Sequence, residues 1–155
     1  MAVTFVDNSA VIKYSVENIT QSALEEIACE IEGRAAMNTR VVTGNTKSKW
    51  SHRILESKAI IGNTEENAIW EEFGTGEYAL NGNGRKGEWY VHIGNGKNDM
   101  SPQTAAYYNF KIVYGKNGDK FAVVQGKKPT RALYRAFSQS KPTIESVFKT
   151  RFKEL

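Results

Sequence analysis

Between about Val16 and Arg40, apolar residues recur every three to five positions: Ile19, Ala23, Leu24, Ile27, Ile31 and Ala35. That period lines one face of a long α-helix, and Glu25, Glu26, Glu30, Glu32 and Arg34 occupy the rest of its circumference. A helix with a single apolar stripe must bury it against a sheet or another helix, so the remaining residues have to supply that surface.

They do so in a fixed order. Residues 3–15 alternate imperfectly through Val3, Phe5, Val11, Ile12 and Tyr14, which predicts one or two short strands around Asp7-Asn8-Ser9. Trp50 to Gly62 predicts a strand pair or one long strand, and Asn67 to Phe73 a short helix or turn. Trp89 to Ile93 alternates as a strand. Tyr107 to Tyr114 and Phe121 to Gln125 flank Gly115-Lys116-Asn117-Gly118, a hairpin signal because Asn-Gly accepts positive φ. Pro129 to Leu155 returns to helical spacing, with Ser140 as N-cap and Pro142 in a first turn, giving two helices or one kinked helix. The expected class is α+β, a single domain over residues 1–155. A central antiparallel or mixed sheet carries the long N-terminal helix and the C-terminal helical segment on one face; flexible loops fall near 80–88 and 94–103.

Composition places the chain among ordinary globular proteins: 155 residues, 40% hydrophobic and 25% charged. The net charge of +4 is spread along the chain, densest at Lys127-Lys128 and Lys149 to Lys153, the pattern of solvated surfaces. Residues MAVTFVDNSA lack the basic start and apolar core of a secretory signal, and no apolar run reaches membrane-spanning length. Cys29, the single cysteine, falls among Ile27, Ala28 and Ile31 and is expected as a small buried group that suits a reducing compartment.

The chain carries few residues in chemically suggestive patterns. Gly74 to Ala79 matches G-x-G-x-x-A, but a helix-like segment precedes it and the loop NGNGRKG follows, the reverse of a dinucleotide site; a flexible turn is expected instead. His52 and His92 are the only histidines, and neither has ligands at paired spacing, with Cys29 far off in sequence. Glu71 and Glu72 are adjacent and diverge by about 100° on a helix, so they form no facing carboxylate pair. No G-x-S-x-G elbow is present. The expectation is therefore no catalytic residue, no cofactor and no metal. Trp50, Trp70, Phe73, Tyr78, Trp89, Tyr90 and the aromatic residues from Tyr107 to Tyr114 read as core or subunit interface before they read as a stacking platform.

Three ordered blocks carry a resemblance. Ile61, Gly62, Asn63, Ala68, Trp70, Glu72, Phe73, Gly74, Thr75 and Gly76 fit a signature ending in E-F-G-T-G. Arg40 to Lys47, with Thr43-Gly44, precedes it, and Lys128-Pro129-Thr130-Arg131-Ala132-Leu133 follows. Together they are similar to the neck, or tail-completion, proteins of tailed bacteriophages, of the lambdoid gene-product-ten type. The departures are Thr46 where leucine is usual, Pro129-Thr130 in place of proline-phenylalanine, and a longer glycine-rich insertion after Gly76. The resemblance implies an α+β subunit without catalytic residues or cofactor, made in the host bacterial cytoplasm and built into the virion. It would assemble as a homo-oligomeric ring with other neck and tail-tube proteins, touching passing DNA without reading it. In that reading Trp70 and Phe73 are largely buried, Trp70→Ala costs about 3–5 kcal/mol, and Gly74 and Gly76 form a hinge. The alternatives are a small nucleic-acid-binding protein, whose aromatic and basic residues would share an exposed face, or a phage-encoded hydrolase with a carboxylate or histidine cleft.

Overall fold

The computed structural model describes residues 6–154. They contain a long N-terminal helix, two small antiparallel sheets and a C-terminal helix, an α+β arrangement as the periodicity predicts. The chain divides into two compact units. The first takes in residues up to Asn38, Lys49–Thr64 and residues from Ala132 onward; the second comprises Thr39–Ser48 and Glu65–Arg131.

In the first unit, helix α1 spans Ser9–Asn38, a rise of about 45 Å at 1.5 Å per residue. It starts earlier than the apolar stripe does. The Asp7 carboxylate accepts hydrogen bonds from Ser9 N (2.9 Å) and Ser9 Oγ (2.5 Å), and Asn8 O accepts from Ile12 N. Asp7-Asn8-Ser9 is thus a helix start, not a hairpin turn, and Val11, Ile12 and Tyr14 are exposed helical residues rather than strand members. The Ser9 hydroxyl and amide hold the Asp7 carboxyl below its ordinary range. Val3 and Phe5 lie outside the described residues.

Strands β1 (Trp50–Leu55) and β2 (Lys58–Asn63) form a hairpin closed by Glu56-Ser57, with Glu56 at φ 47°. Helix α5 (Ala132–Arg151) runs unbroken through Pro142. Pro142 is exposed, and Ala132, Ala136, Ser140 and Val147 continue one buried stripe past it. Ser140 is therefore not an N-cap: it is fully buried in mid-helix, and its Oγ has no hydrogen-bond partner among the described residues.

Helices α1 and α5 lie antiparallel. Asn38 Nδ2, at the end of α1, donates to Gln139 Oε1 near the start of α5, while Glu26 pairs with Arg151 at its end (3.0 Å). Ala23, Ile27, Ile31 and Ala35 of α1 join Ala136 and Val147 in the core, flanked by Trp50, Ile61, Leu133, Ile144 and Phe148. Each buried isoleucine is worth about 1.5–3 kcal/mol by removal from water. The sheet in this unit is the β1–β2 hairpin; the strands after Trp89 belong to the second unit.

In the second unit, α2 is a single turn (Asn45–Ser48) and α3 a seven-residue helix (Asn67–Phe73). Strands β3 (Trp89–His92), β4 (Lys111–Tyr114) and β5 (Lys120–Val124) form an antiparallel sheet in the order β3-β5-β4. Tyr107 and Tyr108 precede the strand in which they are expected. Ser101 caps the short helix α4 (Pro102–Tyr107) by accepting from Thr104 N, with Pro102 in its first turn. The 115–118 hairpin forms as expected, but its loop has five residues, and Gly118 (φ 84°) takes the left-handed position. Among the described residues no helix is long and apolar enough to cross a membrane.

Candidate functional site

The signature segment is held from its polar side. Glu71 is the buried residue of α3. Its Oε1 pairs with Lys127 Nζ and its Oε2 accepts from Thr130 Oγ1 at 2.7 Å. Its backbone carbonyl accepts from Thr130 N (2.7 Å) and Arg131 N (3.3 Å). A buried carboxylate is tolerated only when its oxygens are satisfied in this way. The helix has no side-chain N-cap; what the tertiary bonds satisfy are acceptors near its C-terminal end, the Glu71 carbonyl and carboxylate.

Immediately after α3 the chain turns and runs beside the residues that follow β5. Thr75 N donates to Lys127 O (2.9 Å), Lys127 N donates to Thr75 Oγ1 (2.9 Å) and Thr75 O (3.2 Å), and Glu77 N donates to Gln125 O. Gly74 (φ 73°) and Gly76 (φ 59°) permit the turn. A Cβ on Gly74 would lie within 2.9 Å of Tyr78 O, Lys127 O and Pro129 Cδ; one on Gly76 would lie 2.6 Å from Trp89 Cη2. The two glycines are therefore points of close approach locked by backbone bonds, not a hinge.

This docking leaves the apolar face of α3 outside. Ile69, Trp70 and Phe73 are 54%, 51% and 51% exposed, and Leu80, whose amide donates to Phe73 O, is 52% exposed. The expected burial of Trp70 and Phe73 is thus overturned. Residues 69, 70 and 73 share one helical face, and Glu71 occupies the face that found partners. Glu72 is half-buried. The structure brings Gly74, Thr75, Gly76 and Pro129 together. Thr43 is exposed, Gly44 (φ 88°) only opens the α2 turn, and Gly62 lies in β2 of the first unit opposite Ser51.

Beside the docked turn, a cavity of about 390 Å³ is lined by Arg40, Tyr78, Met100, Tyr108, Phe110 and Lys128, among others. Lys127 Nζ lies 5.2 Å from the Tyr108 ring centre and Lys128 Nζ 5.4 Å from that of Tyr78. Arg85 stands over Trp89 at 5.1 Å. Each of these cations stands over one face of one ring.

The first unit holds a second cluster. The alternation Trp50, His52, Ile54 turns His52 inward, and its side chain is only 15% exposed. Nδ1 lies 2.5 Å from Glu32 Oε2, and Nε2 lies 3.1 Å from Glu25 Oε1 and 3.9 Å from Cys29 Sγ. Hydrogen bonds to Glu25 and then Glu32 raise its pKa above the ordinary histidine value. His52 thus lies on an edge strand with its ring mostly covered, and Cys29 is exposed, not buried; Ala28 takes the core position. The legible signals were period-two alternation in β1 and the spacing of Glu25, Cys29 and Glu32 along one edge of α1. His92 is exposed and pairs with Asp99 at 2.9 Å.

No family model, curated protein or solved structure matches this chain.

Proposed function

We propose that this chain is a structural subunit of a tailed-bacteriophage particle, acting at the head–tail junction as a tail-completion or joining protein. The reading rests on the resemblance of its three ordered blocks to that family. The observation that carries it is the outward apolar face formed by Ile69, Trp70, Phe73 and Leu80 within the signature itself. A rigidly docked segment that presents two large aromatic residues and two aliphatic residues to solvent has the make-up of a subunit interface. In a ring this face meets a different surface of the next copy, a heterologous contact that closes by rotation. Its partners are then copies of itself and the adjoining neck and tail-tube proteins, in the virion, after assembly in the host bacterial cytoplasm. Passing DNA meets only a mildly basic chain of net charge +4.

The test is deletion of the gene from an inducible phage genome, with complementation in trans. Loss should leave filled or leaking heads beside free tails, or tails of abnormal length. The unaltered gene should restore joined particles, and a folded Trp70→Lys variant should not. Infectious, fully joined particles from the deletion would defeat the reading.

A further inference from the structure

We propose that Glu25, Cys29 and His52 form a binding site for a divalent borderline cation, zinc by preference, with Glu32 as the carboxylate that orients His52.

Glu25 and Cys29 are one helical turn apart on α1 and project along the same edge, and β1 delivers His52 to them from its inward face. The donor atoms Glu25 Oε1, Cys29 Sγ and His52 Nε2 all lie within 4.8 Å of one another. A tetrahedral zinc with ordinary bond lengths sets its nitrogen and oxygen donors about 3.3 Å apart and its sulfur and nitrogen donors about 3.5 Å apart. The corresponding separations here are 3.1 Å and 3.9 Å. Those two separations are within about 0.4 Å of the tetrahedral values, and the third, between Glu25 Oε1 and Cys29 Sγ, is within 4.8 Å; closing on an ion asks for side-chain rotation in exposed Glu25 and Cys29.

The other ring nitrogen supplies an independent indication. Metal-bound histidines regularly give their second N–H to a carboxylate, which fixes the tautomer and the ring plane. Glu32 Oε2 sits 2.5 Å from Nδ1 in that role, so the Nε2 lone pair is directed at Glu25 and Cys29. Without a metal, Nε2 must carry a proton to face the Glu25 carboxylate. Binding replaces that proton and the thiol proton, so two carboxylates, a thiolate and a neutral imidazole surround the dication. The mixed sulfur, nitrogen and oxygen set suits zinc or cobalt and not magnesium or calcium, which take oxygen ligands. Three protein ligands leave one tetrahedral position for water.

The same residues superficially match a cysteine–histidine–carboxylate nucleophile. Two observations disfavour that use. Glu25 already engages Nε2. Cys29 also lies in the middle of a thirty-residue helix, whose N–H groups are bound to carbonyls four residues back and so form no oxyanion hole.

The test uses the full-length, untagged chain, reduced and stripped of metal, titrated with Co²⁺ and then Zn²⁺. One equivalent of Co²⁺ should give tetrahedral ligand-field bands with a thiolate-to-cobalt charge-transfer band, and Zn²⁺ should displace it. Cys29→Ser should abolish the charge-transfer band, and Cys29→Ser and Glu25→Gln should each weaken Zn²⁺ binding at least tenfold. Glu32→Gln should weaken it about 10–100-fold while leaving the charge-transfer band in place. Circular dichroism establishes that each variant is folded; if His52→Asn is not, the exposed Cys29 and Glu25 variants decide. A folded protein without the charge-transfer band, unchanged affinity in both exposed variants, or half an equivalent bridging two chains would overturn the site.

Discussion

The buried carboxylate of Glu71 offers the sharpest test of how the signature segment is held. In Glu71→Ala, Thr130 Oγ1 loses a bond to a charged acceptor, an interaction of about 1.5–3 kcal/mol. Lys127, 26% exposed, turns to water, so its half of the ion pair adds only about 0–1 kcal/mol. The backbone bonds from Thr130 N and Arg131 N to Glu71 O survive, because they do not involve the side chain. The sum is a destabilisation of about 2–4 kcal/mol. Thr130→Val keeps the shape of the side chain but leaves Oε2 short of a donor, for about 1–3 kcal/mol. In the double variant both partners are gone, so the losses should fall short of additivity by about 1–2 kcal/mol. The assay is urea unfolding followed by tryptophan fluorescence, since Trp70 and Trp89 both report on the second unit. Strict additivity would show that Thr130 and Glu71 do not depend on each other, and the account of α3 docking would be wrong.

Gly74→Ala forces a Cβ into two carbonyl oxygens at positive φ and should cost at least about 3 kcal/mol or prevent folding of the second unit, read by the same unfolding curves. Trp70→Ala, at a half-exposed position, should cost only about 1–2 kcal/mol; a loss of 4 kcal/mol or more would return Trp70 to the core. Ser140→Ala removes a buried hydroxyl without a partner and should be neutral or stabilising by up to about 1 kcal/mol, as a rise in the urea midpoint. The Asp99 carboxyl is held below its ordinary value, first by His92 and then by the Gly96 amide. What it contributes to closing residues 94–100 is therefore present above the ordinary aspartate value and lost as pH falls through the depressed one. A carbon-detected NMR titration with Asp99 at or above the ordinary value would contradict this.

Features set by near neighbours were legible from the residues alone. The stripe from Ala23 to Ala35 depends on spacing within one helix, and Ala23, Ile27, Ile31 and Ala35 are all core residues. The Gly115–Gly118 hairpin and the 67–73 helix likewise depend on a handful of adjacent residues. The first turns of α1 were not legible, because the Asp7 cap competes with an alternating pattern equally compatible with a strand.

Periodicity and turn chemistry thus determined the α+β class, the helical stripes and the hairpin. Tertiary structure alone decided which polar residues those elements bury. Glu71 finds Lys127 and Thr130 at separations of 56 and 59 residues, and His52 meets Cys29 across 23. An apolar side chain gains from leaving water wherever it is buried, so its spacing alone forecasts a face. A buried carboxylate or imidazole is tolerated only where specific partners arrive, and no local period records them. That is why Trp70 and Phe73, expected to be buried, lie outside, while Glu71 anchors the segment.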